Sequence, residues 1–389
     1  IMCPRPDELP STARGCCEWS ATGAAAHLRA IALDLLRIDA DIVHLAEVED
    51  CFVLRTLLDQ LPPGHGYKPY LLFGRDAFLG QNVGLITRVD PMVDLMRDES
   101  RASYPVEGSR CGFGGTQGLQ GVSKHVLSRF QVDGLPNNAP LTLIGAHLLS
   151  QRGGAKACAK REAQALVLAK AVRLAAARGD HIVLLGDFND FDNETRGTNS
   201  DNYPPKSDVL HTLKTSLTPP LENALSRVAD TQRFSEWWDK NSNCVIDADD
   251  GELSLLDHVL VSSTLAAHHL EEVEMLHDIP AGCPEQGIFE SDHFPIKVTF
   301  ASLVANSHVT VANYQGLNMS TGIFLASVVI ALMSVAWCWC SRLRARKRHR
   351  LNAAEHVVEN YSDATELQES LFAEDRQDDS VTVRPKVSK

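Results

Sequence analysis

Three short segments carry groups able to do chemistry: Gly186-Asp187-Phe188-Asn189, Leu256-Asp257-His258 and Ser291-Asp292-His293-Phe294-Pro295. Each sets acidic, amide or imidazole groups beside a short apolar run. His181-Ile182-Val183-Leu184-Leu185 is apolar at four of its five positions and β-branched at two, which reads as a buried strand. That strand would deliver Asp187 and Asn189 at its end. Groups at strand ends stand on rigid backbone above a sheet edge, where sites of α/β proteins gather. A carboxylate and an amide two residues apart, a second Asp–His pair and oxygen-rich surroundings suit Mg²⁺ or Mn²⁺ better than zinc. The chemistry implied is metal-assisted hydrolysis at phosphorus.

The elements needed to position these groups follow from apolar spacing. Residues 24–38 place Leu28, Ile31, Ala32 and Leu35 on one helix face. Residues 41–47 read as a strand ending in Glu47, and 49–60 as a second helix stopped by Pro62-Pro63-Gly64. Strands are expected over 83–87, 122–132 and 141–147, the last ending in His147. An Ala-rich helix over 158–178 is closed by Gly179. The Asp187 strand comes next, then a loop-rich insert over 191–254 and final strands over 255–261 and 294–300. Strands that alternate with helices in one stretch and follow each other directly in another imply mixed sheets.

A chain of 389 residues with 44% hydrophobic content can bury a full core. One large α/β domain with appendages fits better than two compact domains. Before residue 341, 27 Lys+Arg stand against 41 Asp+Glu, a net charge of −14. That balance argues against a broad basic face gripping nucleic acid by counterion release. It leaves a nuclease open, because a bound cation offsets an acidic site, and it equally describes a soluble acidic surface.

From Thr321 to Cys340 run 20 residues without a charge, a length that spans a bilayer as a helix. Trp337 and Trp339 fall at one interface, and Arg342, Arg344, Arg346, Lys347, Arg348 and Arg350 follow. The positive-inside rule then makes the C-terminus cytoplasmic and the preceding domain extracellular or lumenal. Eight cysteines before the anchor are compatible with disulfides whose pairing sequence does not reveal. Asn193-Glu194-Thr195 and Asn318-Met319-Ser320 are glycosylation sequons on the same side, and Cys338 and Cys340 suit either palmitoylation or an ordinary interface. The expected organisation is a truncated N-terminal segment (1–24), a catalytic domain (25–302), a juxtamembrane linker (303–320), a transmembrane helix (321–340) and a flexible cytoplasmic tail (341–389).

The ordered set Glu47, His147, Asp187-Phe188-Asn189, Asp257 and Asp292-His293 resembles the endonuclease/exonuclease/phosphatase superfamily, the deoxyribonuclease I-like group, over about residues 25–300. Val48-Glu49-Asp50-Cys51, Gly80-Gln81-Asn82-Val83-Gly84-Leu85 and Arg161-Glu162-Ala163-Gln164-Ala165 look most like a secreted or surface-exposed, nuclease-like branch. The resemblance implies a four-layer α/β sandwich, two mixed sheets face to face with helices outside, and a site at one end. It implies Glu47 as the principal ligand of Mg²⁺, with Mn²⁺ or Ca²⁺ as alternatives, and Asp292 as a second metal or water-positioning carboxylate. Asp187 would orient or deprotonate the attacking water, and Asn189 would bind the scissile phosphate. His293 would contact a non-bridging oxygen or carry a proton, with Asp257 fixing its tautomer. His147 resembles the family's second histidine, and Asp76 is the candidate acid beside it. For each Asp and Asn the plainer reading is a turn after a strand. Lys124 and His125 fit either a phosphate contact or a solvated strand face, and His258 fits packing or surface. The family also opens with a strand ending in Asn, and no such strand precedes residue 25.

The expected activity is that of a membrane-tethered nuclease or phosphodiesterase, acting on nucleic acid or a phospholipid headgroup. A sphingomyelinase-like or inositol-phosphate-type enzyme is the alternative. A catalytically decayed surface protein is the non-enzymatic one.

Overall fold

The apolar runs pair into two large sheets. The computed structural model describes residues 21–75, 81–198, 207–241, 243–247, 251–279, 291–301, 303–305 and 326–332. The chain divides into two units, Ile1–Ala336 and Trp337–Lys389, and every described residue belongs to the first. Its helices are α1 (Ala21–Ile38), α2 (Cys51–Leu58), α3 (Gly154–Ala177) and α4 (Val209–Lys214), besides a short helix Ser263–His268. The sheet strands are β1 (Ile42–Val48), β2 (Lys68–Leu71), β3 (Asn82–Thr87), β4 (His125–Phe130), β5 (Leu141–His147), β6 (His181–Asp187), β7 (Glu222–Asn223), β8 (Asp257–Val261), β9 (Leu270–Met275), β10 (Ile296–Phe300) and β11 (Ala326–Leu332).

The first sheet runs β9-β10-β11-β1-β3-β2 and the second β7-β8-β6-β5-β4. Both are mixed. β1 is parallel to β11 and antiparallel to β3. β5 and β6 are parallel, and the long α3 makes the crossover that a parallel pair requires. Ala-rich composition favours α3, and Gly179 at φ +82 follows it in the left-handed conformation that ends many helices. α2 starts where Asp50 accepts the Val53 N–H at 2.9 Å.

Three apolar layers hold these elements together. Ile42, Leu85, Phe130, Leu143, Leu185, Val259 and Val298 interdigitate between the sheets. α1 and α2 cover the outer face of the first sheet through Leu35, Leu54 and Leu57 against Val43, Leu45 and Ile86. α3 and α4 cover the second through Leu168, Val172 and Leu213 against Ile144, Ile182 and Leu184. The order is thus helices, sheet, sheet, helices. A disulfide joins Cys111 to Cys158, with Cα atoms 5.5 Å apart, and Cys51 and Cys244 are also disulfide-bonded.

Several expectations differ from the structure. β2 and β9 carry no strong alternation and escape a reading by periodicity. The strand expected over 122–132 splits into β4 and the short Val132–Asp133. Most consequential is the apolar run at 321–340. Seven of its residues, expected as membrane helix, form β11, bonded to β1 on one side and β10 on the other. Val328, Val329 and Ile330 are β-branched and suit extended backbone. In that slot β11 also satisfies inward-facing backbone groups of two buried strands. Residues 321–325 and 333–340, Asp76, the opening 1–20 and the tail lie outside the described residues. Among the described residues no helix is long and apolar enough to cross a membrane.

Candidate active site

The ends of β5, β6 and β8 meet the segment that enters β10. His147 and Asp187 are register partners on parallel strands, and Asp187 and Asp257 are partners on antiparallel ones. The adjacency places His147 Nε2 3.5 Å from Asp187 Oδ2. Asp257 is fully buried, and its Oδ2 accepts from His293 Nδ1 at 2.7 Å. The other ring nitrogen of His293 lies 3.9 Å from Asp292 Oδ1. The pairing of Asp257 with His293 fixes the imidazole's orientation and leaves Nε2 on the Asp292 side.

Asn189 sits at φ +50, a turn conformation that Asn tolerates better than most residues. Its backbone N–H donates to Asp187 Oδ1 at 2.7 Å, and its side-chain amide donates to Asp187 Oδ2 at 2.7 Å and to the Leu148 carbonyl at 3.1 Å. Both amide protons are therefore committed. In this arrangement Asn189 holds Asp187, whereas the expected phosphate contact would require it to change partners.

Glu47 closes the opposite side. It sits at φ +57, where the pairing of β1 with β3 shifts register between Leu45 and Val48, and the resulting bulge turns its side chain toward the site. Gln81 Nε2 donates to Glu47 Oε1 at 2.9 Å, and Gln81 Oε1 accepts from Lys124 Nζ at 2.9 Å. Lys124 thus reaches the site through Gln81. His125 does neither of the things expected of it: it is fully buried, with Nδ1 bonded to the Val122 carbonyl at 2.7 Å and Nε2 accepting the Asp98 N–H at 2.9 Å.

His258 is also buried. Its Nε2 bonds the Asp190 carbonyl at 3.0 Å, and Asn223 Nδ2 meets its Nδ1 at 3.1 Å. Asp190 in turn binds Arg161 at 3.1 Å and Ser207 at 2.6 Å, while Asp192 binds Lys214 at 2.6 Å and Asn223 at 3.1 Å. These bonds clamp the loop that carries Asp187 and Asn189. His258 supports the site from beneath.

Glu236 was not anticipated. It lies in the short ribbon Glu236–Trp237, paired with Leu253–Ser254, and forms an isolated bridge to His293. Its carboxylate bonds the Ser254 hydroxyl. The neighbouring Ser235 Oγ accepts the Leu256 and Asp257 N–H groups, both at 3.1 Å. Phe-Ser-Glu-Trp-Trp has no helical or alternating apolar pattern, and only tertiary pairing brings it to the site.

The charges are unbalanced. Burial pushes the Glu47 carboxyl up to about 7, with Asp292 adding to the rise. Burial also raises Asp187 well above the usual carboxylate range, with Asp257 adding to it, and it raises Glu236 as well. Burial opposes protonation of His293, but the Asp257 carboxylate lifts the ring well above the ordinary imidazole value. His147 is held neutral by burial, with Lys124 and His293 adding to the effect. One Asp257 oxygen, Oδ1, is buried with no hydrogen-bond partner among the described residues.

Carboxylates that repel one another around a single imidazolium are of the oxygen-donor type that a hard cation prefers. Among the described residues no group of three or more His, Cys, Asp or Glu is placed to hold a metal ion. Mg²⁺ is commonly held by one or two carboxylates, with water and substrate phosphate completing the shell. Glu47 and Asp292 fit that pattern.

Strand-end carboxylates and an Asp-bound histidine above two packed sheets define a phosphoesterase fold. The model of the Endonuclease/Exonuclease/phosphatase family matches residues 19–293, and the chain belongs to that family. Comparison with curated proteins finds no match. Among solved structures, the 3'-5' exonuclease NExo from Neisseria meningitidis is 19% identical with a TM-score of 0.45, covering 70% of this chain and 94% of that one. The catalytic domain of Xenopus laevis APE2 is 16% identical at 0.45, covering 74% and 90%. A mannosyl-6-phosphatase from Bacteroides thetaiotaomicron is 18% identical at 0.43, covering 71% and 90%.

Proposed function

We propose that this chain is a metal-dependent phosphoester hydrolase, foremost a nuclease or phosphodiesterase. The observation that carries the reading is the pair of adjacent carboxylates Asp187 and Asp257, the second hydrogen-bonded to His293 at 2.7 Å. When bound, a Mg²⁺ ion held by Glu47 with Asp292 supplies charge neutralisation at the phosphoryl oxygens. Asp187, steadied by Asn189, orients the attacking water and accepts its proton. The cationic His293 donates from Nε2 to a non-bridging oxygen, where negative charge grows in the transition state. Asp257 holds that ring in place. Lys124, through Gln81, keeps Glu47 aimed into the site.

The test is turnover by the purified full chain with Mg²⁺, on plasmid DNA, RNA, sphingomyelin and inositol phosphates. Asp187→Ala and His293→Ala are expected to abolish cleavage of whichever substrate is used. Turnover that persists in both variants rejects the site.

We further propose that residues 321–340 tether the enzyme to a membrane, with the catalytic part on the extracellular or lumenal side. Support comes from the charge-free run, its cationic flank and the Cys111–Cys158 disulfide, which needs an oxidising compartment to persist. Ala326–Leu332 cannot lie in the sheet and cross a bilayer at once, so the two placements exclude each other. Extraction of cell membranes at alkaline pH separates them: an anchored chain stays in the pellet, and release into the supernatant rejects the tether.

A further inference from the structure

Asp190 directly follows Asn189, and its Oδ2 is where two other segments take hold of the Asp187 loop. Arg161 Nε reaches it from α3 at 3.1 Å, and Ser207 Oγ donates to it at 2.6 Å. The Ser207–Asp208 step is itself gripped from two sides. Glu162 Oε1 of α3 accepts the Asp208 N–H at 3.3 Å. Arg110 donates to the Ser207 carbonyl at 3.1 Å and pairs with Asp208 Oδ1 at 2.6 Å.

Arg110 belongs to residues 105–117, which close the ribbon of Ala102–Tyr104 with Gly118–Gln120. Val106 and Phe113 of that loop pack with Tyr104 against Ala159 and Ala163, the small side chains that α3 presents. The Arg110–Asp208 pair is open to water, with side chains 48% and 39% exposed, and such a pair adds little on its own. Cys111, the next residue, is disulfide-bonded to Cys158, which sits one turn before Arg161 on α3. The two cysteines are 47 residues apart in sequence, so the cross-link confines a loop that chain connectivity alone would leave far freer. It keeps Arg110 within reach of Ser207. The disulfide, Arg161, Asp190, Ser207 and Arg110 thus form one closed circuit of bonds ending on the loop that carries Asp187.

We propose that the Cys111–Cys158 disulfide is a redox-sensitive clasp that positions Asp187 through Arg110, Ser207 and Asp190. Reducing this one bond slows turnover without removing any group from the site. The inference rests on the hydrolase reading above and adds to it a control by dithiols. Cys111 is half-buried and Cys158 is buried, so an incoming thiolate meets Cys111 Sγ. It bonds to that sulfur as the S–S bond breaks, and Cys158 leaves as a thiolate that takes up a proton. The second thiol of the reagent then displaces Cys111 as a thiol. The reagent departs as its own disulfide, so two electrons pass from reagent to protein. Arg110 is then left to its exposed contacts, and the Asp190 end of the loop loosens.

The test uses the full-length protein with Mg²⁺ and whichever of plasmid DNA, RNA, sphingomyelin and inositol phosphates it cleaves. kcat and KM are measured with and without dithiothreitol, together with hydrogen exchange of residues 186–192 by mass spectrometry. Cys51 and Cys244 are also disulfide-bonded, so the Cys111→Ala/Cys158→Ala double variant separates this bond from the others. That variant is expected to lose about tenfold in kcat with KM little changed. It should exchange faster at 186–192 and respond no further to dithiothreitol, which should bring wild type to the same level. Arg110→Ala keeps every disulfide and should reproduce part of the loss, and Arg110→Lys should recover some of it. The clasp is overturned if the double variant keeps wild-type kcat, or if its melting temperature falls while exchange at 186–192 stays the same. It is also overturned if dithiothreitol slows the double variant as much as wild type. Wild-type kcat and exchange in Arg110→Ala overturn it as well, whether or not the double variant folds. Faster exchange on reduction, in a protein that cleaves none of the four substrates, would reject the hydrolase reading and leave the clasp standing.

Discussion

The two sheets hold their halves of the site by different means. On the second sheet, His147, Asp187 and Asp257 sit on three hydrogen-bonded neighbours, and the loop beyond Asp187 is clamped through Asp190, Asp192 and His258. Buried polar groups there find partners in Arg161, Lys214, Asn223 and Ser207. On the first sheet, Glu47 projects from a bulge and is steadied by Gln81 and Lys124 alone among the bonds described. Behind it His44 is fully buried, and neither ring nitrogen has a hydrogen-bond partner among the described residues. Its ring occupies the space left by Gly145, where a Cβ would collide with it. Asp187 and the loop beyond it are held by many side-chain bonds, whereas Glu47 is held by few.

The largest effects are expected at Asp187, on the second sheet, and at His293, which Asp257 of that sheet holds. Asp187→Ala and His293→Ala are each expected to lower kcat/KM about a thousandfold, in single-turnover assays with the melting temperature as a control for folding. If both lose less than tenfold, the chemistry lies elsewhere. Asp190→Ala leaves Arg161 buried without its carboxylate, which should cost about 3–5 kcal/mol. A urea midpoint that does not move would show that the clamp contributes no net stability.

Two smaller effects probe the first sheet. Burial lowers His44 to about 3, so between pH 6.5 and that value the unfolded chain takes up a proton that the folded chain refuses. Stability should therefore fall as the pH is lowered, by about 1.4 kcal/mol per unit, and His44→Leu should flatten that limb of the denaturation curve. An unchanged slope in the variant would assign acid sensitivity to other groups. Glu47 is raised to about 7, and it must lose its proton to hold a cation. Mg²⁺ affinity measured by calorimetry should weaken up to about tenfold per unit as the pH drops below 7. Glu47→Gln should remove that dependence, and affinity that stays flat with pH in wild type would remove Glu47 from the ligand set.

Much of this arrangement is legible in the residues. An apolar run ending in Asp187, another beginning at Asp257 and a histidine just before a third belong at one sheet end, because strands that pair carry their ends together. α3 is equally legible from its Ala content and its closing glycine. Glu236 is not, since its ribbon has no periodicity and depends on long-range pairing with Ser254. His258 could not be separated from an ordinary packing residue, because alternation gives the face a side chain takes and says nothing of what waits there. The charge-free run at 321–340 shows the limit most plainly. Its composition serves a bilayer and a sheet interior equally, since both exclude water and reward apolar surface.

Local chemistry was settled along the chain: which groups end strands, which helices have apolar faces, and that the overall charge is acidic. These are properties of neighbours in sequence, governed by side-chain type and by periods of two and 3.6. Long-range pairing settled the rest. It turned Asn189 toward Asp187, brought Glu236 to His293 and buried His258 beneath the loop that carries Asp187 and Asn189. Each of those contacts joins segments whose meeting depends on how two sheets stack. Backbone hydrogen bonds and core volume fix that stacking only when the whole domain is assembled.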